Sequence, residues 1–361
     1  MDVDEWGPEL VIQTYHQPTG VQGILVIDNT ALGPGKGGIR LVPNVTVDEV
    51  RRLARTMTWK NALAELPWGG AKAGIVYNPK LEKAIHLRAF ARRIRHLVPS
   101  LYIAGPDMNC GESEMAVFAE EIGTPKAATG KPAAMGGLPH ELGSTGFGVA
   151  KATLVALEHE RIKPQDASIA IEGFGNVGTF TAKFLAEAGC RIVAVSDSKG
   201  AIYDERGLDV TKLLEVKHAQ GTVTKYPEGK VLPTRDLFAL PVTVLIPGAR
   251  PDVITEANYQ SVRAPIIVEA ANIPISPDIE ARLAREKGTL IIPDFVANAG
   301  GVISSYCEWM GWDQKKMFQV VEEKIVKNTR LVLQRMRGRD ARAAAERIAS
   351  ERVRAAMKKQ K

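Results

Sequence analysis

The chain has 361 residues, 45% of them hydrophobic and 24% charged, which excludes disorder and fibrous folds and suffices for two or three domains of roughly 150 residues. Three cysteines, Cys110, Cys190 and Cys307, form no CxxC pair, so a disulfide framework and the usual zinc ribbons are excluded and a reducing compartment fits. The net charge of +6 is local: residues 330–361 carry eleven Lys or Arg against three Asp or Glu, a surplus of +8, which leaves −2 elsewhere.

The acidic start, Met1 to Trp6, has no apolar h-region, and no apolar run approaches the ~20 residues of a bilayer span. No membrane association is expected, and the expected location is cytoplasmic. Next come short β-rich runs at Gly23–Asp28 and Gly74–Tyr77. Between them an amphipathic helix opens on a capping box, Thr46-Val-Asp-Glu49, and runs to about Leu66 before Pro67. Val50, Leu53, Met57 and Ala64 recur at helical spacing and define its expected buried face. Lys60 falls on that stripe. A lysine there costs free energy unless paired or functional; snorkelling from the edge of the stripe is the plain alternative.

Two more lysines stand among glycines, Lys36 in Gly33-Pro-Gly-Lys-Gly-Gly-Ile-Arg40 and Lys72 in Trp68-Gly-Gly-Ala-Lys-Ala-Gly74. Flanking glycines let the backbone approach a ligand while one cation projects. Unrelated loops with solvated lysines are the alternative. The GxxxxGK[ST] pattern is absent, which disfavours phosphoryl transfer. A second, basic helix follows over about residues 81–97.

The Gly/Pro-rich passage 132–143, ahead of a helix capped by Ser144, marks a boundary. Residues 1–137 are expected to form one domain, completed by a C-terminal helix over 335–361, and 138–334 the other. In the second, Ser168–Glu172, Arg191–Ser196, Val242–Ile246, Ile266–Glu269 and Thr289–Ile292 read as buried strands with helices between several of them. The fold class is therefore α/β, with a parallel sheet.

Strand 168–172 runs into Gly173-Phe-Gly-Asn-Val-Gly178 and a helix from Asn176. In that context GxGxxG is a dinucleotide signature. Gly173, Gly175 and Gly178 allow the turn and close approach, and the helix start at Asn176 and Val177 faces a pyrophosphate. Asp197 follows 19 residues after Gly178 and can accept from ribose hydroxyls. Its carboxylate favours NAD, whereas Ser198 and Lys199 could meet a 2′-phosphate; both NAD and NADP stay open. The closing segment from Val302 is helical. Its Ala/Arg/Glu-rich part, Ala341–Met357, has no aromatic residue interleaved for base stacking, so a solvated helix is expected and no nucleic-acid partner.

Six motifs occur in the order found in amino-acid dehydrogenases: GPGKGGIR around Lys36, Met57-Thr-Trp-Lys60-Asn-Ala, Gly69-Gly-Ala-Lys72, Gly105-Pro-Asp107, Gly173–Gly178 and Asn298-Ala-Gly-Gly301. Over about residues 10–335 the chain resembles the glutamate/leucine/phenylalanine/valine dehydrogenase superfamily, most like its glutamate members. The resemblance implies two domains with the active site in the cleft between them, oxidative deamination of an L-amino acid, and a homo-oligomer. It gives Lys72 as the catalytic lysine, Asp107 as the acid/base carboxylate and Lys60 as the binder of the α-carboxylate. It gives Thr145 and Asn176 as partners of the nicotinamide amide, with Asn298 in a loop lining cofactor and substrate. Met57, Gly105 and Val302, in or next to these motifs, are expected to line the substrate site.

The chemistry agrees with those roles. A carbinolamine needs a donor for its developing charge and a group shuttling protons to ammonia. A lysine crowded by two other ammonium groups is expected to have a lowered pKa. No metal is needed, and no ligand cluster such as HExxH is present. Lys36 and Ser305, a cation and a hydroxyl, suit a γ-carboxylate at the end of the pocket. Glutamate brings two carboxylates; Lys60 and Lys36 answer one each, and Lys72 is left for catalysis. The expected reaction interconverts L-glutamate with 2-oxoglutarate and ammonia. An apolar amino acid of the leucine, valine or phenylalanine type is the alternative. From another class comes a non-catalytic NAD(P)-binding regulatory subunit, against which the presence of both Lys72 and Asp107 argues.

Overall fold

A computed structural model describes residues 3–139 and 142–360. Positions 140 and 141, inside the Gly/Pro-rich passage read as a boundary, lie outside the described residues. The chain divides into two compact units. Unit 1 comprises residues 1–142, 302–317 and 348–361, and unit 2 comprises 143–301 and 318–347.

Unit 1 is built on β1 (Leu10–His16), β2 (Val21–Asn29), β3 (Gly35–Val42), α1 (Val47–Leu63), β4 (Gly69–Val76), α2 (Lys83–Ile94), β5 (Tyr102–Pro106) and α3 (Glu112–Ile122). The sheet order is β1-β2-β4-β3-β5. Strand β3 runs parallel to both neighbours, with Lys36 opposite Gly70 and Ile103, and Arg40 opposite Gly74. Strand alternation then sorts the side chains. Odd positions of β3 and β4 (Ile39, Leu41, Ala71, Ala73, Ile75) join Phe90, Ile94, Met115 and Phe118 in the main core. Even positions, including Lys36, Arg40 and Lys72, lie on the other face. Val26, Val50 and Ala54 pack on that face, the last two from α1.

Helix α1 starts as its sequence suggests, with Thr46 accepting from the Glu49 N–H at 3.2 Å. Only half of the capping box forms, because the Glu49 side chain turns to Arg40 instead. The buried stripe is also rotated from the expected one. Val50, Ala54, Thr58 and Asn61 are buried, while Leu53 and Met57 are only half-buried. Gly70 explains the shift: a Cβ there would overlap Thr58, so the helix rests its small residues on β4. Lys60 is buried as well, at 8% exposure.

Unit 2 holds α4 (Ser144–His159), β6 (Ser168–Glu172), α5 (Asn176–Glu187), β7 (Arg191–Asp197), β8 (Gly200–Tyr203), α6 (Val210–Gln220), β9 (Lys230–Leu232), β10 (Val244–Pro247), β11 (Ile266–Val268), α7 (Pro277–Lys287), β12 (Leu290–Ile292) and α8 (Asp294–Ala297). The order is β12-β11-β10-β6-β7-β8-β9. Strands β12 to β7 are parallel, as expected for an α/β fold. The short antiparallel pair β8 and β9 extends the β7 edge and carries no periodicity long enough to read in advance. Ser144 is the first residue of α4 rather than its cap; Gly143, at φ 76°, holds the cap position.

The last helices are α9 (Gly300–Met310), α10 (Gln314–Arg335) and α11 (Ala341–Gln360). Much of the basic surplus of this segment is absorbed by acidic partners. Arg342 bonds Glu269, Glu280 and Asp294. Arg339 pairs with Glu160, Arg352 with Glu65 and Arg354 with Glu5. Among the described residues, no helix is long and apolar enough to cross a membrane.

Candidate active site

Glycine makes room for charge on the α1 side of the unit 1 sheet. Lys36 is 3% exposed. Its Nζ donates to the Ala104 carbonyl at 2.8 Å and lies 5.9 Å from the centre of the Trp68 ring. A Cβ at residue 105 would overlap that ammonium, so Gly105 houses the Lys36 head group. Burial, with repulsion from Lys72 and Lys131, pushes the ammonium down to about 7 against the pull of Glu308. Glu308 is bound to Lys131 at 2.5 Å, with both side chains buried, and accepts the N–H groups of Gly130 and Leu138. Nearby, the buried Thr129 Oγ1 has no hydrogen-bond partner among the described residues.

Asp107 stands just beyond β5 in a tight turn closed by two backbone bonds to Cys110, both 3.0 Å. The turn comes close to β3 because residue 38 is glycine; a Cβ there would stand 2.9 Å from that of Asp107. The Asp107 carboxylate meets Arg40 at 2.9 Å and Lys72 at 3.1 Å. Burial acts to raise its pKa, but Lys72 and Arg40 outweigh burial and hold it below the ordinary carboxylate range. Such a group is ionised at neutral pH and lies beside an ammonium. That pairing can pass protons and stabilise developing negative charge.

Of the unit 1 residues singled out by sequence, Lys36, Lys72 and Asp107 thus share one sheet face and its end, and Gly105 lies against Lys36. Lys60 is buried in the last turn of α1, one turn beyond the half-buried Met57. Val302 is buried and Ser305 half-buried on α9. The next residue, Tyr306, packs edge-on against Trp68, with ring centres 5.5 Å apart. Four participants went unread: Arg40, Glu49, Lys131 and Glu308. Arg40 was detectable, since a residue four beyond Lys36 on a strand shares its face. The Lys131–Glu308 pair spans 177 positions and leaves no local signal.

In unit 2 each glycine of Gly173–Gly178 has a distinct task. Gly173 adopts φ 94° in the turn. Gly175 has open space where a Cβ would stand, and a Cβ at Gly178 would strike the Gly173 carbonyl. Helix α5 starts without a side-chain cap, with Gly175 and Asn176 exposed and Val177 half-buried. Its first N–H groups are free to meet an anion, so the segment fits a dinucleotide pyrophosphate.

Asp197 is engaged within the unit. It accepts from the Lys199 N–H at 2.9 Å, Lys217 Nζ at 2.6 Å, Thr222 Oγ1 at 3.2 Å and the Val223 N–H at 2.9 Å. Burial is outweighed by these donors, and its pKa is held low. Ser198 and Lys199 are exposed beside it. Thr145 is buried in the first turn of α4, where Gly300 and Gly301 come close to Ser144 and Thr145. The Asn298 amide braces the loop 270–272 through Ala270, Ala271 and Asn272. Among the described residues, no three His, Cys, Asp or Glu side chains are grouped to hold a metal.

Comparison with known proteins agrees with this picture. Residues 136–361 match the family model described as Glutamate/Leucine/Phenylalanine/Valine dehydrogenase. Residues 9–124 match the Glu/Leu/Phe/Val dehydrogenase dimerisation domain. The chain is 42% identical over 353 residues to a glutamate dehydrogenase of Aeropyrum pernix, covering 91% of this chain and 84% of that one. It is 42% identical over 320 residues to an NADP-specific glutamate dehydrogenase of Saccharolobus shibatae, covering 84% and 75%. The solved hetero-hexameric glutamate dehydrogenase of Thermus thermophilus, in its Leu-bound form, superposes with a TM-score of 0.86. It shares 30% identity, with coverage of 98% of this chain and 90% of that one.

Proposed function

The chain belongs to the glutamate/leucine/phenylalanine/valine dehydrogenase family, and from that premise we propose that it catalyses the reversible NAD(P)-dependent oxidative deamination of L-glutamate to 2-oxoglutarate and ammonia. One observation carries the choice of substrate: a fully buried lysine, Lys36, stands on the same sheet face as Lys72. A buried ammonium is costly. A ligand carboxylate would satisfy it.

In this reading Lys60 binds the α-carboxylate and Lys36 the γ-carboxylate, with Ser305 adding a hydroxyl. Met57, Gly105 and Val302 shape the pocket. Lys72 donates to the oxygen that develops charge as water adds at the α-carbon, and Asp107 carries protons to and from the nitrogen. The dinucleotide is held by Gly173–Gly178, Ser198, Lys199, Thr145 and Asn298, with Asn176 and Thr145 on the carboxamide. When bound, its nicotinamide supplies the hydride acceptor. Asp197 has its charge offset by Lys217, which weakens its expected bias towards NAD; NAD or NADP fits.

The reading extends to assembly and location. The outer edge of β1, with Leu10 and Tyr15 exposed, supports a homo-oligomer, as does the match of residues 9–124 to a dimerisation domain. Three buried thiols suit the reducing cytoplasm. A panel of L-amino acids with NAD and with NADP, followed by absorbance of the reduced nicotinamide, tests the function. Glutamate is expected to be turned over best; a clear preference for leucine or norleucine would overturn the assignment.

A further inference from the structure

Both cations that touch Asp107 touch the same oxygen. Arg40 Nε stands 2.9 Å and Lys72 Nζ 3.1 Å from Oδ2. Oδ1 has no hydrogen-bond partner among the described residues. The carboxylate is therefore held by one end with the other left over.

Arg40 is fixed in turn from its far side, where Nη1 donates to Glu49 Oε1 on the first turn of α1. Its side chain is 11% exposed and that of Asp107 18%, so neither swings freely in water. A guanidinium is planar and holds its donors in a rigid fork, which suits orientation better than an ammonium would. Glu49 also explains why the capping box stays half-made: its carboxylate serves Arg40 instead of the Thr46 N–H. The route runs α1, β3, turn, β4, through Glu49, Arg40, Asp107 and Lys72.

We propose that Arg40, held by Glu49, is a positioning residue that pins Oδ2 of Asp107 and leaves Oδ1 as the oxygen that exchanges the proton with the substrate nitrogen. In that exchange an N–H bond breaks, its electron pair stays on nitrogen, and an O–H bond forms at Oδ1; the reverse direction returns the proton. The inference rests on the role given to Asp107 above. The groups facing Asp107 are Arg40 from β3, Lys72 from β4, Tyr102 from β5 and Cys110 across the turn, with Glu49 of α1 behind Arg40. Burial pushes Tyr102 and Cys110 up, so both stay neutral. Lys36, held at about 7 beside Lys72, titrates in the free enzyme and colours kcat/KM, so the acid limb of kcat, read with substrate bound, is the one that reports Asp107 and its cations.

The test is kcat and KM for glutamate against pH in the full-length enzyme and in Arg40→Met, Arg40→Lys and Glu49→Gln. Arg40→Met is expected to lower kcat at least ~10-fold with KM changed less than about 3-fold. Its acid limb is expected to move up by roughly one pH unit or more, since one of two cations beside the carboxylate is gone. Arg40→Lys restores the charge without the fork and should recover the limb while keeping kcat several-fold low. Glu49→Gln should lower kcat without raising the limb. Near-UV circular dichroism and the thermal transition of each variant, compared with wild type, report that the unit carrying residues 40 and 49 is folded. If Arg40→Met does not fold, Arg40→Lys decides, because wild-type kcat in that variant overturns the role of the fork. An unmoved acid limb in folded Arg40→Met, or KM rising as kcat falls, likewise overturns the proposal. A wild-type enzyme that deaminates no glutamate overturns the functional reading first and this inference with it; an active wild type with an unmoved limb overturns only the role of Arg40.

Discussion

At the scale of single residues the site turns on which ammonium carries a proton, and when. Lys36 is held down to about 7 by burial and by its neighbours Lys72 and Lys131. At pH 8 the free enzyme therefore holds it mostly neutral; in the role proposed for it, a γ-carboxylate arriving beside it would restore the charge. Binding of 2-oxoglutarate in the presence of reduced dinucleotide should then take up close to one proton at pH 8 and much less at pH 6. Calorimetry in buffers of different ionisation enthalpy measures this, and a heat at pH 8 independent of buffer sinks it. Lys36→Leu should abolish the uptake and cut kcat/KM for glutamate by at least ~10²-fold, because a buried carboxylate is stranded. Turnover of norleucine should be spared, so an unchanged glutamate-to-norleucine ratio would remove Lys36 from the pocket. Lys72→Ala is expected to lower kcat by ~10²–10⁴-fold while dinucleotide affinity stays near wild type. Retention of half the activity would assign catalysis elsewhere.

At the scale of elements, α11 is fastened by its first turn. Arg342 reaches Glu269, Glu280 and Asp294, so three buried carboxylates share one guanidinium. Burial raises Glu269 well above the ordinary range and Glu280 to about 7. The folded chain then keeps a proton that the unfolded chain has already lost, and stability falls as pH rises from about 4.5 to about 7. Glu280→Gln should flatten that slope; equal slopes of melting temperature against pH in variant and wild type would contradict it. None of this cluster was legible in the sequence, since its members come from the residue just after β11 and from α7, α8 and α11. What was legible is local. Gly173–Gly178 could be read because strand, glycines and helix are contiguous, and Lys60 because a charge interrupts an apolar stripe. The stripe itself was misjudged where Gly70 draws in small residues in place of Leu53 and Met57. Ser144 looked like a cap because hydroxyls usually are, but Gly143 at φ 76° does that work through its backbone.

At the scale of the whole molecule, the chain passes between its units at residues 142/143, 301/302, 317/318 and 347/348. Unit 1 is completed only by the last stretch, where Ile348, Ala349 and Val353 are buried. In the same stretch Arg352 donates to the carbonyls of Ala62 and Leu63, the open end of the helix that carries Lys60. Stopping the chain after Arg347 should leave dinucleotide binding largely intact and abolish deamination; a truncated protein with wild-type kcat would show the brace to be dispensable. The same arrangement governs synthesis. On the ribosome every strand of the unit 2 sheet is made before residues 348–361, whereas the helix bearing Lys60 meets its Arg352 brace only after that sheet has been translated. A chain that stops short of residue 348 thus keeps all seven strands of the unit 2 sheet and loses the brace on the Lys60 helix, so the two halves of the proposed reaction, holding coenzyme and holding amino acid, are separable by position along the chain.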